Sequence, residues 1–177
     1  MPKHCLNIPT HEYKALLRHL IPVSCRSEEA AFVFCNPQLV NGILQFHFLE
    51  TYLIAPEEFN YRSLYGLEIT DDCRAKIIKR AHDLNSSLLE LHSHPKASTA
   101  KFSPSDRAGF ESFVPHVWWR LKKKPYAAIV VGSRNFDSLC WATDAERPNG
   151  VLDIKVDDQL FTPTGLTFEN WDFAYEF

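Results

Sequence analysis

The apolar positions along the chain change period several times, and each change marks an element. Between His11 and Leu20, the residues Tyr13, Leu16, Leu17 and Leu20 recur at helical spacing, and Pro22 follows as a stop. Residues 29–35 and 43–54 are rich in β-branched and aromatic side chains and are joined near Asn36-Pro37 and Asn41-Gly42, which predicts an antiparallel pair. Residues 56–63 read as a polar loop and 64–69 as a short strand. Thr70-Asp71-Asp72 caps a helix running to about Leu84, with Ile77, Ile78 and Ala81 on one side, and Asn85-Ser86 breaks it. A strand is expected at 88–94, a flexible loop at 96–101 and a helix at 104–113, after which Pro115 opens a second helix through Lys123. Further strands fall at 126–131, 139–143 and 151–156. Helices set apart from a mixed, mostly antiparallel sheet define an α+β class.

Composition narrows the picture without changing it. With 177 residues, 45% of them hydrophobic, the chain suits one domain with a sizeable core, placed at residues 1–157. The remainder, 158–177, is aromatic and acidic: Phe161, Phe168, Trp171, Phe173, Tyr175 and Phe177 fall in or beside it, and it is expected either to pack back on the domain or to dock a partner. A net charge of −3 argues against nucleic-acid binding. The one basic run, Arg120 with Lys122-Lys123-Lys124, reads as a solvated helix end that favours the helix dipole. Five scattered cysteines, without a Cys-x-x-Cys pair, give neither a zinc ribbon nor a disulfide framework and fit a reducing compartment. Without a signal-type or membrane-spanning apolar run, a cytoplasmic location and no membrane partner are expected.

The chemistry concentrates in His92-Ser93-His94-Pro95 and, with eight residues between His94 and its first member, Ser103-Pro104-Ser105-Asp106. Alternate side chains of a strand share a face, so His92 and His94 can grip one metal while Ser93 points away. Ser103-Pro104-Ser105-Asp106 is also a complete helix start, with Ser103 as N-cap. The two readings are compatible, since the cap holds its residues rigidly. Two imidazoles and one carboxylate, with a fourth position left open, are the donor set of a catalytic zinc. The expectation is one Zn2+ per chain, on His92, His94 and Asp106.

Glu, then His-x-His-Pro, then Ser-x-x-Asp resembles the signature of the JAMM (MPN-plus) zinc metalloproteases. The resemblance spans about residues 10–157, and its specificity sits in five positions. In the best register Glu29, within Ser27-Glu28-Glu29-Ala30-Ala31-Phe32, takes the place of the family's upstream glutamate; Glu28 is the competing register. The family often has glycine where this chain has Phe32. The resemblance implies an MPN/JAMM-like fold, Glu29 as the catalytic proton acceptor, Ser103 as the hydroxyl that stabilises the oxyanion, and hydrolysis of the peptide or isopeptide bond after the C-terminal glycine of a ubiquitin-like protein. It implies a ubiquitin-like protein or its conjugates as partner and loops 56–66 and 95–102 as the borders of the groove.

The lack of large insertions makes the chain look more like prokaryotic members, which act in ubiquitin-like antiphage (antiviral defence) systems or process sulfur-carrier proteins. A non-catalytic MPN scaffold is the alternative of another class, although such members typically lose the metal ligands retained here. A metallo-β-lactamase would need Asp-His directly after the histidine pair, where Pro95-Lys96 stands, and a zinc deaminase would need Pro-Cys-x-x-Cys. Glu90 shares parity with His92 and His94, so it is a candidate for a carboxylate supporting the ligands from behind or for the base itself, but it reads most simply as a solvated strand-end glutamate. His11, His19, His47, His82 and His116 carry no motif.

Overall fold

The computed structural model describes residues 2–173. The chain runs β1 (Lys3–Ile8), α1 (Thr10–Leu20), β2 (Ala30–Val40), β3 (Ile43–Leu53), a 3-10 turn at Pro56–Glu58, β4 (Phe59–Ser63), β5 (Gly66–Ile69), α2 (Asp71–Asp83), β6 (Ser87–Ser93), α3 (Pro104–Arg120), β7 (Tyr126–Val131), β8 (Phe136–Trp141), β9 (Val151–Val156), β10 (Gln159–Phe161) and α4 (Leu166–Glu169). Eight strands form one sheet in the order β10-β9-β1-β3-β2-β6-β7-β8, and β4 and β5 make a separate hairpin. The pairs β10–β9, β3–β2, β2–β6 and β7–β8 are antiparallel; β9–β1, β1–β3 and β6–β7 are parallel. The α+β class and the mixed, mostly antiparallel sheet are therefore as expected.

Each face of the sheet buries its own core. Phe32, Phe34, Leu88, Tyr126 and Ala128 face α2 and α3, while Val33, Cys35, Leu89, Ala127 and Ile129 face α1. Because β2, β6 and β7 are covered on both faces, they read in sequence as continuous apolar runs rather than alternating ones. Beside the first core, Phe110, Tyr126 and Trp171 all meet the Trp141 ring edge-on.

Several elements depart from the sequence expectation. β1 was not anticipated; it is six residues long and lies between β9 and β3. The polar stretch 56–63 contains β4, which gains regularity only by pairing with β5. Asn36-Pro37 lies inside β2, and the chain turns at Asn41-Gly42, both at positive φ as a tight hairpin turn demands. Pro115 does not start a new helix but sits within α3. An interior proline costs about 3 kcal/mol, yet Phe110, Val114, Val117 and Trp118 stay at helical spacing across it and bury against the sheet. Tertiary burial outweighs the local penalty.

The segment after 157 is part of this fold as far as Phe173. β10 pairs with β9, and Phe168 and Trp171 pack against the core beside Trp141. Tyr175 and Phe177 lie outside the described residues. The five cysteines are free, and no helix among the described residues is long and apolar enough to cross a membrane.

The sheet curls until its ends meet. Cys140 on β8 bridges Gly150, just before β9, and the buried Ser138 hydroxyl both donates to Leu152 O (2.9 Å) and accepts from Leu152 N (2.8 Å). A Cβ built on Gly150 would lie 2.7 Å from Pro2 O and 3.0 Å from His4 Cδ2, so the seam closes only over glycine. Gly150→Ala is expected to lower stability by about 1–3 kcal/mol through overpacking. Gly109→Ala, in α3 with no atom within 4 Å of its Cβ position, should raise it by about 0.5–1 kcal/mol. Urea midpoints of both variants check the pair, and an unchanged Gly150→Ala midpoint would contradict the tight seam.

Candidate metal and active site

The site grows out of the β2–β6 pairing. Ala30 lies opposite His92 and Ala31 opposite Leu91; carrying this register past the strand end sets Glu29 opposite Ser93 and Glu28 opposite His94. Two hydrogen bonds fix that extension: Ser93 N donates to Glu29 O (3.0 Å), and the Ser93 hydroxyl accepts from Glu29 N (2.9 Å). His94 is held on the other side, its N–H donating to Val131 O (2.8 Å) at the end of β7. The residue between the two histidines thus ties the strand that carries them to the strand that carries the glutamates.

Asp106 arrives from the first turn of α3. The Ser103 hydroxyl accepts from Asp106 N (3.1 Å) and the Asp106 carboxylate accepts from Ser103 N (2.7 Å), a reciprocal cap with Pro104 at the first helical position. The same Oδ2 atom lies 3.3 Å from His92 Nε2 and 3.2 Å from His94 Nε2, and the two imidazole nitrogens are 3.2 Å apart. His92, His94 and Asp106 therefore form a nearly equilateral triangle of donor atoms. Zinc–ligand distances of about 2.0–2.1 Å in tetrahedral geometry place ligands about 3.3–3.4 Å apart, so the triangle has the dimensions of three corners of such a site. These residues could hold a metal ion.

The glutamate assignment changes. Glu29 is not brought into the cluster: its carboxylate pairs with Arg62 of β4 and lies 4.0 Å from His19 of α1. Glu28 is there instead, with Oε1 3.7 Å from His94 Nε2 and a side chain only 5% exposed. The physical reason is parity. Glu28, Ala30 and Phe32 share the face of His92, whereas Glu29, Ala31 and Val33 face α1. The expectation for Glu90 is likewise corrected: rather than being solvated, it lines the cleft beside His92 and accepts a hydrogen bond from Tyr126 Oη.

Burial and charge set the protonation of the cluster. Burial pushes the Glu28 carboxyl above its ordinary range, an effect that the neighbouring imidazoles only moderate. Burial alone would also raise Asp106, but the two imidazoles and the Ser103 N–H hold it far below the usual carboxylate range. For His92, burial works downward and is outweighed by Asp106, Glu90 and Glu28, so its pKa is raised. Asp106 is thus biased toward its ionised form, the form in which a carboxylate can hold a metal, while Glu28 is a carboxylate more easily protonated.

Two depressions meet at this cluster. One, of about 440 Å3, is lined by Glu28, His94, Ser103 and Asp106 together with Tyr61 and Leu64 to Leu67 of the β4–β5 hairpin and with Lys96 and Ala97. The other, of about 420 Å3, runs past His92, Glu90, Arg74 and His116 between α3 and β5. Ser105, Asp106 and Leu67 line both. Of the loops expected to border a groove, Tyr61, residues 64–66 and residues 96–97 do so. No protein-family model matches the chain, and no curated protein matches it.

A metal titration tests the site. The wild-type chain is expected to bind one zinc, and Asp106→Ala should bind it at least about tenfold more weakly. Binding displaces protons from the ligands. Since His92 holds its proton to a higher pH than a free imidazole, affinity should fall with acidity already from above pH ~6.5. A chelator competition run across pH reads both; a pH-independent affinity, or full affinity in Asp106→Ala, would remove these residues from the ligand set.

Proposed function

We propose that the protein is a zinc-dependent peptidase or isopeptidase that hydrolyses the bond after the C-terminal glycine of a ubiquitin-like protein. The observation that carries this reading is the convergence of His92, His94 and Asp106 with Glu28 and Ser103 where two depressions meet. Zinc held by the first three supplies Lewis acidity that brings the pKa of a water to about 7.

The chain's own groups supply the rest. Glu28, buried and with its proton affinity raised, takes the proton of the attacking water as the C–O bond forms, then gives it to the amine nitrogen, so the C–N bond breaks when the tetrahedral adduct collapses. Ser103 Oγ already accepts from Asp106 N, which leaves its own O–H directed by the cap and free to donate to the oxyanion of the tetrahedral state. One such donor is worth about 3 kcal/mol of barrier. Asp106, held by Ser103 N, keeps the ligand triangle rigid. Depressions on both sides of Asp106 give room for the chain on either side of the scissile bond.

Glu28→Gln should keep zinc and fold while turnover falls by at least about 10²-fold, whereas Glu29→Gln should remain active. Loss of activity in Glu29→Gln with Glu28→Gln still active would reverse the assignment. Zinc content and melting temperature, measured alongside, separate a lost proton acceptor from a lost site.

Substrate choice is tested by a matched pair: a ubiquitin-like fusion and its tail peptide, each with the same leaving group. Energy from docking the folded domain is available at the reacting centre, so the fusion should be cleaved far faster. Equal rates would exclude docking-based selection. Failure to cleave any ubiquitin-like fusion would favour the non-catalytic scaffold.

A further inference from the structure

We propose that the segment from Thr164 to Trp171 is a strap that positions the metal-binding loop, with Thr167 and Asp137 as its positioning residues. The proposal rests on the reading of His92, His94 and Asp106 as a metal site. It concerns groups outside that site: a fully buried carboxylate on β8 and a threonine near the C-terminal end of the described chain.

Asp137 has no part in the ligand triangle, yet its carboxylate is turned on one segment and on its own neighbour. Its Oδ1 accepts from Ser138 N and Gly165 N, both at 2.9 Å. Its Oδ2 accepts from Thr167 N (3.0 Å) and from the Thr167 hydroxyl (2.6 Å). A carboxylate that claims the hydroxyl proton fixes the orientation of the hydroxyl, and the free lone pair then accepts from Phe102 N at 2.9 Å. Phe102 immediately precedes Ser103, the cap of α3, and its ring lies 5.8 Å from the His92 ring and 5.2 Å from that of Phe110.

The other contacts of the strap fall on the same loop. Thr164 Oγ1 donates to Ala100 O (2.9 Å), and Arg107, the residue after the ligand Asp106, donates to Trp171 O with its guanidinium 4.2 Å over the Trp171 ring. Ala100, Phe102 and Arg107 bracket Ser103–Asp106 on both sides. Without the strap, the helix cap would still form, but the cap's place relative to β6 would rest on the packing of Phe102 and α3 and on the bond from Ala100 N to Asn135 Oδ1 (2.7 Å). Groups behind a ligand that fix its orientation typically change metal affinity about 10–100-fold when lost.

Thr167→Val tests this with little change of shape, since it keeps the N–H bond to Asp137 and removes only the hydroxyl. Thr167→Ser restores the hydroxyl. Amide exchange at Phe102 in the zinc-free protein and zinc affinity by chelator competition are read for the wild type and both variants, with thermal melting as a control on the fold. The expected result is faster Phe102 exchange and about 10–100-fold weaker zinc binding in Thr167→Val, with Thr167→Ser close to wild type in both. Unchanged Phe102 protection and unchanged zinc affinity in Thr167→Val would overturn the strap. Faster exchange with unchanged zinc affinity would overturn its positioning role. A wild-type chain that binds no zinc would overturn the metal reading itself, while the exchange at Phe102 would still decide whether the strap holds the loop.

Discussion

The exchange of hydrogen bonds between Ser93 and Glu29 is the interaction on which the rest of the site depends. It extends the β2–β6 ladder one step past the last regular pair and sets which of two adjacent glutamates meets His94. A slip of one residue in this pairing would exchange the two faces and present Glu29 to the histidines. The buried apolar residues on both faces of β2 oppose such a slip. So does the ion pair of Glu29 with Arg62, which uses the outward glutamate to hold the β4–β5 hairpin beside the cleft. One acidic pair therefore does two different things, divided only by the pleat of the strand.

The cluster also illustrates how desolvation and mutual attraction compete. Burial alone would drive Glu28 and Asp106 toward their neutral acids. Asp106 escapes because it accepts from the Ser103 amide and faces two imidazoles, whereas Glu28 meets those imidazoles at longer range and remains dominated by burial. Two carboxylates in one pocket are pushed apart in proton affinity by their surroundings. The imidazole nitrogens both lie 3.2–3.3 Å from one carboxylate oxygen.

How much of this was legible in the sequence follows from the periods involved. The His92, His94 and Asp106 triangle could be read because His-x-His uses the period of a strand and Ser-Pro-Ser-Asp uses the grammar of a helix start, both local rules. The helix at 71–83 was legible for the same reason, with Thr70 as its cap. The choice between Glu28 and Glu29 was not, since β2 is apolar on both faces and offers no alternation to mark parity. β1 and β4 were hidden because each owes its regularity to strands distant in sequence or across a turn. Pro115 misled because its local rule is real but weaker than the burial of four large residues around it. The role of Asp137 had no sequence signal, since its partners lie 28 and 30 residues away.

The seam between β8 and β9 has a consequence for how the molecule behaves among its neighbours. An open sheet of this width would leave two flanking rows of amide and carbonyl groups able to recruit strands from other molecules. Stapling β8 to the start of β9 through Cys140, Gly150 and the Ser138 hydroxyl occupies much of one such row internally. The other ends in β10, only three residues long and introduced by Asp157-Asp158, whose charges disfavour stacking against a second copy. The curl that brings the strap-bearing strand round to the rest of the sheet thus also shields the protein from strand-by-strand self-association in a crowded solution.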